Sequence, residues 1–219
     1  MHKLDRDAYL LPLTPRFGVN AYLLGDVLVD AGARQSRRCI ERMLRGHRVS
    51  AHALTHVHPD HQGASHALCR KHGWPLWCGA ADAPAMESGE MPLPPRRLAR
   101  LVDALCSGPP HPVSRALSEG DVVGGFEVIE TPGHTAGHLA YWREAGRVLI
   151  LGDVLNGMHL VTTIPGLREP PEVFSVDAAQ NRASARLLRG LRPEVVAFGH
   201  GPPLRDPERF EAFLDALPA

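Results

Sequence analysis

The run Thr55-His56-Val57-His58-Pro59-Asp60-His61-Gln62-Gly63 places four ligand-type side chains within six residues. Residues 51–55 lead into it with the apolar pattern of a short buried strand. His56 and His58 are two apart, so on an extended chain both project to the same side. Pro59 stops the strand, and Asp60 and His61 fall on the turn into a helix expected over residues 62–72. Four such groups diverge too much to close around one tetrahedral ion. They suit two ions a few ångströms apart, each taking two of them. A polar turn with surface histidines is the alternative, and it leaves this spacing without a reason.

Three further segments share one local design, in which an apolar strand is followed by a glycine and a ligand-type residue. Residues 126–130 run into Thr131-Pro132-Gly133-His134, residues 148–151 into Gly152-Asp153, and residues 195–198 into Gly199-His200-Gly201. Glycine permits close backbone approach, and strand termini are where α/β folds gather their active sites. Alone, Asp153 or His200 reads as a capping residue; their common placement beside the histidine cluster makes both candidate ligands. His134 and His138 stand four apart, as in a zinc-binding H-E-x-x-H helix, but Thr135-Ala136-Gly137 supplies no glutamate and is poor helix material. His138 is therefore expected to support the site by hydrogen bonding.

Composition narrows the class. The chain has 219 residues with 24 Lys and Arg against 24 Asp and Glu, so it lacks the basic surplus of a protein that grips phosphate backbone. With 44% hydrophobic residues it can build a full core, which excludes intrinsic disorder. Apolar runs such as residues 148–151 fall far short of the ~20 residues of a membrane span. Residues 1–17, broken by Asp5, Asp7, Pro12, Pro15 and Arg16, hold no secretory hydrophobic stretch. A soluble, cytoplasmic protein with a small-molecule substrate is expected, with neither nucleic acid nor membrane as partner and a homodimer compatible with the sequence. The four cysteines stand widely apart and read as free thiols, whereas thirteen histidines are an unusual number.

Residues 1–219 read as one domain of alternating strands and helices. Strands are expected at 20–24, 27–30, 51–55, 75–78, 126–130, 138–142, 148–151 and 195–198. Helices are expected at 35–46, 62–72, 80–87, 96–106, 177–191 and 207–217. The arginines at 34, 37, 38, 42 and 45 form a solvated face of the first helix. Residues 88–95 and 107–112 are surface loops. Residues 155–171 show no helix or strand pattern and, at that length, read as a lid or binding loop. Asn156, His159 and Arg168 are its candidate substrate-side residues.

In combination these motifs resemble the metallo-β-lactamase superfamily: Asp30 in LVDAG, then THVHPDHQG, TPGHTAGH, LGD and GHG, in order along almost the whole chain. The resemblance implies a four-layer αββα sandwich, two mixed β-sheets face to face with helices on both outer faces. It implies that His56, His58 and His134 hold one metal ion, that Asp60, His61 and His200 hold a second, and that Asp153 bridges the two. Asp30, like His138, would orient ligands by hydrogen bonding. The chemistry that follows is hydrolysis by a metal-bound hydroxide, with Asp60 as a catalytic proton carrier. An all-nitrogen-and-oxygen ligand set fits two Zn2+ ions, with iron or manganese compatible.

Within the superfamily THVHPDHQG, TPGHTAGH and LGD closely resemble the motifs of glyoxalase II-like thioesterases, although their helical, glutathione-binding C-terminal region is not expected after GHG. Penicillin-hydrolysing members generally lack the bridging aspartate and are exported, and RNA-processing nucleases carry additional basic modules. Lactonases remain open, but residues 155–171 contain no counterpart to their substrate-side tyrosine. The expectation is a dinuclear hydrolase acting on a small or medium ester, thioester or lactone. The alternatives are a phosphodiesterase of the same fold and a glutathione-persulfide sulfur dioxygenase, with a single iron on His56, His134 and Asp153.

Overall fold

The computed structural model describes residues 1–92 and 97–218. The expected helix start at residue 96 and the end of the 88–95 loop fall outside the described residues.

Strands β1 (His2–Asp5), β2 (Ala8–Pro12), β3 (Asn20–Leu24), β4 (Val27–Val29), β5 (Ala51–Ala53), β6 (Leu76–Gly79) and β7 (Arg115–Leu117) form a seven-stranded sheet in sequence order. It is antiparallel from β1 to β4 and parallel from β4 to β7. Strands β8 (Val122–Val123), β9 (Phe126–Glu130), β10 (Leu139–Arg143), β11 (Val148–Ile150) and β14 (Val195–Ala197) form a second sheet ordered β14-β11-β10-β9-β8. There β14 runs parallel to β11 and the other pairs are antiparallel, so both sheets are mixed.

The period of two in each strand explains the layers. Tyr22 and Leu24 of β3 join Leu139 and Tyr141 of β10 and Ile150 of β11 in one core between the sheets. The alternate residues Ala21 and Leu23 face Ile40 and Leu68 outside the first sheet, beneath helices α1 (Arg37–Met43) and α3 (Ser65–His72). Ala140, Trp142 and Leu149 face outward from the second sheet onto Ala185, Leu188, Phe210 and Leu214, from and beside helices α6 (Ala178–Leu187) and α7 (Pro207–Asp215). Strands buried on both faces favour apolar residues at every position, which is why β11, and β3 after Asn20, read as unbroken hydrophobic runs. The result is the αββα sandwich.

Two buried tyrosines lock the sheets together at one end. The Tyr22 hydroxyl donates to the Phe198 carbonyl at 2.5 Å, and the Tyr141 hydroxyl donates to the Leu54 carbonyl at 2.7 Å. Asn20 adds hydrogen bonds from its Nδ2 to the carbonyls of Phe198 and Gly201, each at 2.9 Å. Those carbonyls flank His200 and lead into His56, so the inter-sheet contacts also fix the ends of the two ligand-bearing strands.

The expected elements shift in places. The helix over 62–72 is two pieces, α2 (Pro59–Gln62) and α3, broken at Gly63. A Cβ on Gly63 would lie 2.3 Å from the Cys106 carbonyl oxygen and 2.4 Å from the Arg34 nitrogen, so neighbouring backbones press against that turn. Residues 155–171 are not patternless. They contain a small antiparallel pair, β12 (Asn156–Met158) and β13 (Pro165–Arg168), whose glycines, proline and register shift hide the strand signal. Beyond β6 lie α4 (Ala83–Ser88) and α5 (Arg97–Cys106). Cys69 and Cys78 are buried free thiols, each pushed up to about 12 by burial. Among the described residues no helix is long and apolar enough to cross a membrane.

Candidate metal centre

Every candidate ligand leaves a strand end or the turn beyond it, on one side of the sandwich. His56 follows β5, Asp60 and His61 lie in α2, His134 and His138 lie between β9 and β10, Asp153 follows β11 and His200 follows β14. The candidate ligand atoms of His56, His58 and His134 lie within 4.8 Å of one another. The same holds for Asp60, His61 and His200, and for His56, His61 and Asp153. Asp153 links the sets: its Oδ2 is 3.6 Å from His134 Nε2 and 3.1 Å from His200 Nε2, and its Oδ1 is 3.6 Å from His61 Nε2. The Asp60 Oδ2 lies 3.3 Å from His200 Nε2.

The ring nitrogen pointing away from the centre is held in each case, which decides the tautomer. The His56 Nδ1–H donates to the Thr55 hydroxyl at 3.0 Å, and that hydroxyl donates to Asp30 Oδ2 at 2.9 Å. The His61 Nδ1–H donates to the same Asp30 oxygen at 2.9 Å, and the Thr55 N–H donates to Asp30 Oδ1 at 2.8 Å. The His134 Nδ1–H donates to the Ser175 hydroxyl at 3.0 Å, and the His200 Nδ1–H to the Gly18 carbonyl at 2.5 Å. His58 is turned the other way, its Nε2–H donating to the Pro92 carbonyl at 3.3 Å, which leaves Nδ1 facing the centre.

His138 differs from these five. Its Nε2 accepts the Asp153 N–H at 3.0 Å, so its Nδ1–H donates to the Thr131 hydroxyl at 2.8 Å. Both nitrogens are used within the protein, and the ring holds the backbone of Asp153 rather than facing the centre. Burial lowers its pKa to about 3, which keeps Nε2 an acceptor.

The centre fits cations. His56 Nε2, His61 Nε2, His134 Nε2 and Asp153 Oδ1 are buried and have no hydrogen-bond partner. Four orphaned lone-pair atoms at one point would cost several kcal/mol, at ~1–3 kcal/mol each, unless something electropositive meets them. Without that charge, protons take its place. Burial opposes protonation of His61, but the carboxylates of Asp153 and Asp30 raise its pKa to about 10. His200 is likewise raised well above the usual histidine range against burial, by Asp153 and Asp60. Burial and the neighbouring imidazoles hold His56 well below it. Burial raises the Asp153 pKa, but His200 and His61 hold it well below the usual carboxylate range.

Glycines make the crowding feasible. A Cβ on Gly199 would sit 2.0 Å from Asp153 Oδ1 and 2.6 Å from His61 Cε1. Gly152, at φ +55, places His138 Nε2 only 2.7 Å from its missing Cβ.

A cavity of about 230 Å³ opens over the centre. His58, Asp60, His134, Asp153 and His200 form its polar floor, and Pro59, Val102, Leu160, Pro171 and Phe174 are among its apolar walls. Asn156 lines it too, nearly fully buried, with an Oδ1 that meets no donor. The structure does not bring the other two substrate-side candidates there. His159 is exposed, and its Nδ1 accepts the N–H groups of Val161 and Thr162 at 3.2 and 3.1 Å. Arg168 is exposed on β13, where Leu167 beside it packs on the outer core. Thr55, Ser175, Gly18 and Pro92 went unread in the sequence, because a lone hydroxyl or a backbone carbonyl carries no local pattern.

The model of the metallo-beta-lactamase superfamily matches residues 14–200. The chain is 31% identical over 204 residues to the probable metallo-hydrolase YflN of Bacillus subtilis, covering 81% of this chain and 76% of that protein. It is 31% identical over 154 residues to a hydroxyacylglutathione hydrolase of Bdellovibrio bacteriovorus, covering 68% of this chain and 48% of that one. The chain thus spans about half the length of that hydrolase. Among solved structures, TTHA1623 in a di-iron-bound form superimposes with TM-score 0.70 at 30% identity, over 90% of this chain and 94% of that one. The B3 metallo-beta-lactamase BLEG-1 gives TM-score 0.66 at 27% identity, over 94% and 99%. With the strand-end ligand cluster and the αββα layers in place, the match over residues 14–200 means that the chain belongs to the metallo-beta-lactamase superfamily.

Proposed function

We propose that this protein is a hydrolase that holds two divalent metal ions and cleaves a small or medium ester, thioester or lactone. The observation that carries the reading is the convergence of the orphaned nitrogens of His56, His61 and His134 around the Asp153 carboxylate, with His134 and Asp153 themselves at the floor of a largely apolar cavity. His56, His58 and His134 would hold one ion, Asp60, His61 and His200 the other, with Asp153 between them. When bound, such ions polarise a carbonyl oxygen and supply a water ionisable near pH ~7. Zinc is the proposed occupant, because the donors are imidazole and carboxylate without thiolate; the same donors accept iron or manganese.

The chain's own groups divide the remaining work. The Asp60 side chain is 28% exposed and lines the cavity, so its carboxylate is placed to pass a proton to a leaving group. Asn156 offers its amide to orient a substrate carbonyl. Val102, Leu160, Pro171 and Phe174 exclude water and favour an apolar acyl group over a polyanion. The equal numbers of acidic and basic residues likewise support a small-molecule substrate rather than nucleic acid.

A panel of an acyl thioester, a lactone, a phosphodiester and a β-lactam, at equal concentration with metal-loaded protein, tests this. The thioester or lactone is expected to lead in kcat/KM by ~10-fold or more. Phosphodiester cleavage with negligible acyl hydrolysis would overturn the substrate assignment. The hydroxyacylglutathione hydrolases among the relatives make a glutathione thioester one informative member of the panel.

A further inference from the structure

A carboxylate outside every ligand-bearing segment ties two of those segments together. Asp82, between β6 and α4, is 1% exposed. Its Oδ2 accepts the Val57 N–H at 3.0 Å and the Thr135 hydroxyl at 2.7 Å, and its Oδ1 accepts the Gly137 N–H at 2.7 Å. Val57 stands between His56 and His58, Thr135 follows His134 and Gly137 precedes His138. One side chain therefore pins both loops that supply the His56, His58 and His134 set. None of its partners adjoins Asp60, His61 or His200 in the chain.

The contact leaves no slack. A Cβ on Gly137 would lie 2.4 Å from the Asp82 nitrogen and 2.8 Å from its Cγ, and a Cβ on Gly79 would lie 2.0 Å from the Gly137 carbonyl oxygen. The His58 and His134 rings, one from each loop, stand 4.6 Å apart between centroids. Two separate loops keep that spacing only if something fixes them to each other. All three partners of Asp82 are donors, so a carboxylate satisfies them, whereas a carboxamide turns an NH2 against one of them.

We propose that Asp82 is a positioning residue for the first metal site, setting the separation of His58 and His134 by clamping their loops. The proposal rests on the two-ion reading above. It predicts a site-selective effect, because a buried group that only stabilised the fold would weaken both sites alike.

The test is zinc affinity, read by competition with a chromophoric chelator, in two backgrounds. His200→Ala retains the first ligand set, and His134→Ala retains the second. Adding Asp82→Asn is expected to weaken zinc binding ~10–100-fold in the His200→Ala background and to leave it unchanged in the His134→Ala background. Thr135→Val removes one of the three donors and keeps the carboxylate. It should weaken the same site by a smaller factor, and it carries the test if Asp82→Asn fails to fold. Equal weakening in both backgrounds, or none in the first, would overturn the proposal. Failure of His200→Ala itself to bind zinc, with Asp82 intact, would instead refute the two-ion reading beneath it.

Discussion

Replacing Asp153 by alanine is expected to abolish turnover and to lower the affinity of both metal positions together. The carboxylate lies within 3.6 Å of His61 and His134 and 3.1 Å from His200, so it answers directly to histidines of both sets. Removing it takes a negative charge from a buried cluster of neutral imidazoles, and the repulsion between two cations held there would then go uncompensated. The loss should exceed the ~10–100-fold that follows removal of an outer hydrogen-bond partner. Metal content after dialysis against a weak chelator, together with kcat, checks this. An Asp153→Ala protein that keeps two ions and full turnover would remove Asp153 from the bridge.

The second large effect needs no ligand to be removed. Gly199→Ala should cripple the centre with all seven candidate ligands present, because the new methyl would lie 2.0 Å from Asp153 Oδ1 and 2.6 Å from His61 Cε1. Both side chains are buried, so neither can swing away into solvent. The backbone at this glycine is not left-handed, so steric contact alone decides the outcome. Overpacking of this kind costs ~1–3 kcal/mol of stability. The metal-binding loss should be the larger effect, since the contact falls on His61 and Asp153, two candidate ligands. Thermal melting of the metal-free variant beside a zinc titration separates the two. A variant with native zinc affinity would mean that the 199 backbone yields, and that Asp153 and His61 are less tightly placed than their contacts imply.

Much of this molecule was legible in its sequence because the centre is built from strand ends. Apolar runs such as residues 148–151 and 195–198 mark strands buried on both faces, and the glycine and ligand after each mark where the chain leaves the sheet. That repeated design brought His134, Asp153 and His200 into view beside the run that holds His56, His58, Asp60 and His61, whereas the supporting place of Asp30 came only with the family resemblance. What remained hidden has a common physical cause. Asp82 lies between a strand and a short helix and accepts from two backbone N–H groups and one lone hydroxyl, groups that leave no signature in the sequence. The wall of the cavity was misread in part because residues 155–171 fold into β12 and β13. Alternation along β13 sends Leu167 into the outer core and leaves Arg168 in solvent, and the turn between the strands captures His159. Asn156 remains at the cavity, beside a Phe174 that no periodic pattern announced.

The count of metal ions per chain tests the whole account most directly. Elemental analysis of protein purified without added metal, and again after growth with zinc or manganese, should approach two equivalents of divalent metal. A reproducible single iron per chain, unchanged by either supplement, would contradict the two-ion hydrolase and favour one-iron redox chemistry on His56, His134 and Asp153.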